Sequence, residues 1–344
     1  MSHHERQAKV PTGKKYQQKR KIGPQESFKP SASFTPQCGG REWTLSVAIP
    51  SSILTNLATA EQRGAVAGRI ARALAVFSVD EVVIFDDSPP STRPRRTETT
   101  AYTGDTDPCH FLSHIFSFLE APPFMRKTLF PLHPNLRLTA LLPSLDMPHH
   151  PNPKEWTAYR EGVTVGRGTR KGSTVVEVGL DQPVEIDVDI PPKTRLTLRF
   201  PDDENLPPEC VDPSAPRTEG GYFWGYAVRK CPSLSAVFTE SPYEDGYDVS
   251  IGTSERGSPI SDAFPSSSSR PLSFRHMVVV FGGPRGLEFA AMNDEELSGR
   301  AVQGSKTREL FDHWVNVLPN QGSRTIRTEE AVFIALTALR SLWD

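Results

Sequence analysis

Three separate stretches of the chain place small, polar and cationic residues directly after an apolar run: IGTSERG at 251–257, FGGPRGLE at 281–288 and LPNQGSRTIRTEEA at 318–331. Glycine lets a backbone come close to a bulky ligand. Arginine pairs with anionic groups and offsets negative charge that builds in a transition state. Loops that follow parallel strands share one edge of the sheet, where α/β proteins bind ligands. None of the three is a phosphate cradle, because Gly282-Gly283-Pro284-Arg285-Gly286 is not GxGxxG and lacks the Gly-Lys-Ser/Thr of a P-loop. Taken singly, each glycine loop reads as a tight turn. Taken together, they describe the wall of a pocket.

The elements that must position these loops follow from periodicity. Trp43–Ile49 and Val79–Asp86 are continuous apolar runs, which predict buried parallel strands. Between them Thr59–Phe77 has helical spacing, with Arg63, Arg69 and Arg72 off its apolar face. His110–Leu119 and Phe124–Phe130 read as short helices, Leu136–Leu142 as a third strand, and Asp87–Asp107 as a mobile loop. Tyr247–Gly252 and His276–Phe281 are strands feeding the first two loops, and Glu309–Trp314 reads as a helix. After the turn at Pro319–Gly322, Thr328 is placed to cap a final helix. Glu329 and Glu330 occupy its first turn, and Ala331, Ile334, Ala335, Ala338, Leu339 and Leu342 its apolar face.

Composition changes near Arg160. Glu161–Val165, Thr174–Gly179, Val184–Val188, Arg195–Phe200, Tyr222–Val228 and Leu234–Phe238 are short Val- and Thr-rich runs between turns, which predict a small β-barrel. Tyr222, Phe223, Trp224 and Tyr226 suit base stacking, while strand alternation turns half of such residues inward. The expected organisation is a basic tail at 1–40, an α/β domain at 41–157 and 240–344, and an inserted barrel at 158–239.

Charge is unevenly spread. Residues 1–29 carry eight Lys or Arg against two acids, although the whole chain has a formal net charge of −2. A basic, apolar-poor segment of this kind reads as an arm for nucleic acid or nuclear import, or as a solvated tail. Cys38, Cys109, Cys210 and Cys231 form no CxxC pair, so a zinc knuckle is not expected. His110 and His114 lie four apart on a helix but lack a third ligand in the sequence, and no metal is expected. No apolar run approaches bilayer-spanning length.

The motifs TLSVAIP (44–50), AGRIARALAVFSVDEVVIFDD (67–87), FLEAPPFMRKTLFP (118–131) and YREGVTV (159–165) precede YDVSIGTSERG (247–257), FGGPRGLE and QGSRTIRTEEA (321–331). Together they resemble the SPOUT superfamily of RNA methyltransferases, in its eukaryotic and archaeal branch with an inserted OB-like barrel. The resemblance spans most of residues 42–340 and is most specific in the last motif. It implies an α/β fold with a C-terminal trefoil knot, a bent S-adenosylmethionine in the knot loops, and a homodimer that shares its active sites. The substrate it implies is large-subunit ribosomal RNA, methylated on a uridine base, at N3 as the leading expectation. A nuclear, nucleolar location follows, with the cytoplasm or mitotic spindle as alternatives.

Carried onto this chain, the resemblance assigns the cofactor to Arg256, Gly282, Gly283, Gly286, Asn316, Leu318, Gln321, Gly322, Thr325 and Ile326. Arg324 and Arg327 are the catalytic candidates, offsetting charge on the uracil oxygens. Their plainer roles are phosphate binding or pairing with Glu329 and Glu330. Arg69, Arg72, Lys19, Arg20 and Lys21 are candidates for RNA contact, although Arg69 and Arg72 also suit a solvated helix face. No general base stands out; Glu329 is one option, with helix capping its alternative. A non-catalytic RNA- or spindle-binding scaffold remains the second class of function.

Overall fold

A computed structural model of the chain describes residues 40–202, 206–265 and 272–343. Lys19, Arg20 and Lys21 lie outside them. In chain order the strands are β1 (Thr44–Pro50), β2 (Glu81–Phe85), β3 (Tyr159–Arg167), β4 (Thr174–Glu177), β5 (Val184–Ile186), β6 (Arg195–Arg199), β7 (Glu209–Val211), β8 (Ala227–Cys231), β9 (Val249–Pro259), β10 (His276–Val280) and β11 (His313–Asn316). The helices are α1 (Ala60–Val76), α2 (Pro108–Glu120), α3 (Pro123–Leu129), α4 (Ala215–Thr218), α5 (Leu234–Thr239), α6 (Ile260–Ala263), α7 (Gly286–Met292), α8 (Glu295–Gly299) and α9 (Thr328–Leu339).

Six strands form one sheet in the order β11-β9-β10-β1-β2-β8, and every neighbouring pair is parallel. All seven residues of β1 and all five of β2 are buried, which is why their sequences are apolar in runs rather than alternating. Alternate side chains serve opposite faces. Val47, Ile49, Val82, Ile84 and Val279 pack with α1, α2 and α9, while Ala48, Val83, Phe85, Val278 and Val280 pack with α5, α7 and α8. Thr59 and Gln62 close a reciprocal capping box at the start of α1. Gly64 and Gly68 leave room on α1 for Leu142 and Pro143, and a Cβ at Gly68 would fall 3.1 Å from Pro143 Cδ.

The second sheet is antiparallel, in the order β5-β4-β3-β6-β7, around Val176, Val178, Val184, Ile186, Leu196 and Leu198. Its outer strands β5 and β7 do not pair with each other among the described residues, so the expected barrel is an open, curled half-barrel. The four short runs at 161–200 form strands as expected, and β7, between Phe200 and Tyr222, adds a fifth.

Several expected elements differ. Leu136–Leu142 is not a strand but two 3-10 turns, Pro134–Leu136 and Thr139–Leu141. Asn135 holds the first turn by bonding the Thr103 backbone N–H and hydroxyl, each at 2.9 Å, and Thr139 closes on the Leu136 carbonyl at 2.7 Å. Leu234–Phe238 is helical, since the Ser233 hydroxyl accepts from Ala236 N and starts α5. With β8, which pairs with β2, this helix packs on the parallel sheet rather than in the half-barrel. Glu309–Trp314 is not a helix: a 3-10 segment, Gly304–Leu310, leads into β11. The 87–107 stretch is anchored by fully buried Thr103 and by Asp107, whose side chain caps α2. Of the four aromatics, Phe223 and Tyr226 are core, and Tyr222 and Trp224 are half-buried.

A buried charge network ties the half-barrel to the parallel sheet's helices. Arg195 on β6 donates to both Glu120 oxygens, at 2.6 and 2.9 Å, and to Glu161 at 2.6 Å. Trp224 and Thr197 also donate to Glu161, and His149 lies 2.9 Å from Glu120. Burial alone would raise the Glu120 pKa, but Arg195 and His149 hold it well below the usual carboxylate range. A depressed folded-state pKa gives stability that is complete above the unfolded value, about 4.3 for glutamate, and is lost as pH falls through the folded one. We therefore expect Arg195→Met to lower the unfolding free energy by about 3–5 kcal/mol at neutral pH, because two buried carboxylates lose their cation. The deficit should shrink below about pH 4, where the parent loses the stability that the depressed Glu120 pKa supplies. Urea denaturation followed by tryptophan fluorescence checks this, and a variant as stable as the parent would contradict it.

Candidate functional site

Because all six strands run the same way, their C-terminal ends share one edge. β10 ends at Val280 and passes into Phe281–Gly286; β11 ends at Asn316 and passes into the 317–327 run. β9 differs from expectation. Thr253–Gly257 is not a loop but a continuation of the strand to Pro259, where Ser258 and Pro259 pair with Val315 and Asn316 beyond a register shift.

Specific bonds hold the three stretches together. The Thr328 hydroxyl donates to the Gly282 carbonyl at 3.0 Å, fastening the start of α9 to the glycine loop. Thr328 is therefore the first residue of the helix and not its cap; the cap position is Arg327, whose N–H donates to Glu330 at 3.0 Å. Asn316 Nδ2 donates to the Glu255 carbonyl at 2.9 Å, and Thr253 Oγ1 to the Val280 carbonyl at 3.1 Å. Gly257 packs directly on the Val315–Asn316 backbone. Arg256 NH1 lies 3.7 Å from Glu288.

Glycine is required where these stretches meet. Gly286 has φ +78°, a left-handed conformation that side chains avoid. A Cβ at Gly282 would fall 2.9 Å from Leu287 N, and one at Gly283 would strike the Ser52 hydroxyl. Behind that contact, Asp87 is buried at the end of β2 and accepts from Ser52 N at 3.0 Å and Ser52 Oγ at 2.5 Å. Burial raises the Asp87 pKa, while the Ser52 donors work against the rise. This carboxyl fixes the turn after β1 against the glycine loop. Its role was not among the expectations, although Pro50-Ser51-Ser52 and Asp86-Asp87 at two adjacent strand ends carry its signal in the sequence.

Gly282, Gly283, Gly286, Arg256 and Asn316 are thus brought together. Leu318, Gln321, Gly322, Thr325 and Ile326 form an arm beyond them, shaped by bonds such as Leu318 N to Asn316 Oδ1 and Gln321 Nε2 to Ser323 O, both 3.0 Å. Asn320 turns this arm with φ +61°. Arg324 and Arg327 are exposed on it and make no ion pair among the described residues. Glu329 faces Arg69 at 3.8 Å instead, with its side chain buried at the start of α9, a poor position for a general base. Arg285 is turned away, 3.7 Å over the Phe289 ring. Arg72 is committed elsewhere, donating to the carbonyls of Ser144 and Leu145 at 3.2 and 2.7 Å. Of the two helix arginines, Arg69 is the one whose guanidinium stays largely solvent-exposed.

His133 joins His110 and His114 in a ring cluster, with centroids 4.7–5.8 Å apart, and burial with the two neighbours pushes the His114 pKa down to about 4. Among the described residues no group of three or more His, Cys, Asp or Glu is placed to hold a metal, and no helix is long and apolar enough to cross a membrane.

A glycine-walled edge with exposed arginines, at the C-terminal ends of a parallel sheet, fits an enzyme that handles a nucleoside-like ligand. Residues 44–339 match a family described as putative RNA methyltransferase, and the chain belongs to it. It is 44% identical over 307 residues to a human 28S rRNA (uridine-N(3))-methyltransferase, across 88% of this chain and 79% of that protein. A Drosophila melanogaster protein of the same name is 43% identical over 310 residues, covering 86% of this chain and 62% of the relative. A putative methyltransferase of Caenorhabditis elegans is 32% identical over 323 residues, covering 87% and 80%.

Gly282 lies against backbone, so the wall cannot yield by moving a flexible side chain. Gly282→Val is expected to weaken binding of S-adenosylhomocysteine at least about tenfold, the effect of roughly 1.4 kcal/mol. Isothermal titration beside a circular-dichroism melt measures this; unchanged affinity in a folded variant would remove the glycine loop from the ligand site.

Proposed function

We propose that this protein is an S-adenosylmethionine-dependent methyltransferase that modifies N3 of a uridine in large-subunit ribosomal RNA. The observation that carries this reading is the meeting of three sequence-distant stretches at one sheet edge, joined by the Thr328–Gly282 bond. The names of the relatives supply the substrate.

S-adenosylmethionine supplies a methyl group on a positively charged sulfonium. The chain's residues suit it: Gly282 and Gly283 present bare backbone that would accept an adenine or ribose, and Arg256 is a cation for its carboxylate. Holding donor and acceptor in line supplies most of the acceleration in such a displacement. Arg324 and Arg327 would stabilise negative charge on uracil O2 and O4 as N3 loses its proton. A stacked target base would first have to leave its stack.

The same reading extends to a SPOUT-type trefoil knot through the C-terminal segment, an OB-like origin for the half-barrel, and a homodimer. The partly exposed Ala331, Phe333, Ile334 and Ala338 on α9 support a second copy packing there. A nuclear, nucleolar site of action is supported by the basic residues Lys14, Lys15, Lys19, Arg20 and Lys21.

Arg324→Ala is expected to leave cofactor affinity unchanged and to reduce methyl transfer at least about 100-fold, the scale of a lost oxyanion contact. Mass-spectrometric mapping of ribosomal RNA from cells with wild-type or variant protein reads the result. Full modification with the variant would exclude Arg324 from the chemistry, and unaltered RNA in cells lacking the protein would favour a non-catalytic scaffold. Deleting residues 1–29 should flatten the salt dependence of RNA binding, because eight cations are lost; filter-binding titrations across salt concentrations decide this, and an unchanged slope would mean the arm touches no phosphate.

A further inference from the structure

Removing the N3 proton of uridine requires an acceptor, and the carboxylates along the site's edge can be compared one by one. Asp86 accepts from the Ser88 N–H and hydroxyl at 2.9 and 2.6 Å. Asp87 is buried with both oxygens occupied by Ser51 and Ser52. Glu329 is buried against α1 and faces Arg69, and Glu330 caps the start of α9. Asp294 accepts from Ser235 N and from two backbone N–H groups of α8.

Glu288 is different. Its side chain is 25% exposed and accepts no hydrogen bond among the described residues. Its charged neighbour is Arg256, reaching across from β9 at 3.7 Å, too far for a direct hydrogen bond. The carboxylate stands over the Gly286 turn, where a Cβ would come within 2.8 Å of Oε2. A half-buried carboxylate with free lone pairs, set between two of the converging stretches, has the geometry of a proton acceptor.

We propose that Glu288 is the catalytic base of the transfer, taking the N3 proton of the target uridine. This rests on the methyltransferase reading above. The N3–H bond breaks as an O–H bond forms on Glu288, and the N3 electron pair forms the new bond to the methyl carbon. The carbon–sulfur bond breaks, and its electron pair stays on sulfur as a neutral thioether. The positive charge of the sulfonium and the negative charge of the carboxylate disappear together, so charge balances.

The test uses the full chain with Glu288→Gln, Glu288→Asp and Glu295→Gln. S-adenosylhomocysteine titration is read first, then single-turnover transfer to a ribosomal RNA fragment across neutral to alkaline pH. Glu288→Gln should bind S-adenosylhomocysteine like the wild type and lose about 100-fold or more in rate near neutral pH. The deficit should narrow toward the alkaline range where uracil ionises unaided, and Glu288→Asp should recover part of the rate. Glu295→Gln, at an exposed position of α8, should transfer normally. An undiminished rate in Glu288→Gln, a deficit that is the same at every pH, or loss of S-adenosylhomocysteine binding in that variant alone would overturn the assignment, as would an equal deficit in Glu295→Gln. A wild-type protein that binds no S-adenosylhomocysteine would defeat the methyltransferase reading itself, which separates the two failures.

Discussion

The strict parallel alignment of six strands is the constraint from which the rest of the structure follows. It sends every C-terminal end to one edge. Stretches as distant as Thr253, Gly282 and Thr328 then meet without any one segment being long enough to form a pocket alone. The hydrogen bond from Thr328 to the Gly282 carbonyl fixes how the last helix enters that meeting point. Close backbone approach at Gly282 and the left-handed turn at Gly286 do the remainder.

Two kinds of electrostatic arrangement divide the molecule. Away from the site edge, the ion pairs that join separate elements of the core are shielded: Arg195 between Glu120 and Glu161, and Arg41 against Asp80 at 2.6 Å. Such groups fix the relation between elements, because separating them would leave a charge uncompensated in a low dielectric. At the edge, Arg256, Arg324 and Arg327 are exposed, and Glu288 accepts no hydrogen bond among the described residues. Groups held in place but not satisfied internally are available to a ligand, and that contrast marks the edge as a site more clearly than shape does.

The sequence made β1, β2, β10 and α1 legible because burial on both faces leaves uninterrupted apolar runs, and because Thr59 announces its helix. It failed where tertiary partners decide local structure. LRLTALL has the composition of a strand, yet Asn135 and Thr103 lock its start into a turn, and Leu142 at its end packs over Gly64 and Gly68 of α1. LSAVF is as apolar as a strand, but the Ser233 cap makes it a helix. In the site, the glycines and Arg256 were readable as types of residue after strands. That Arg72 bonds the Ser144 and Leu145 carbonyls, or that Glu288 lacks a hydrogen-bond donor, depends on contacts across long separations that spacing does not encode.

Hydrogen–deuterium exchange with and without saturating S-adenosylhomocysteine distinguishes one shared site from separate ones. Protection should be confined to three segments, 253–257, 281–288 and 316–328, and appear together at one ligand concentration. Protection at other surfaces, or in one of these segments without the other two, would contradict a single shared site at the sheet edge.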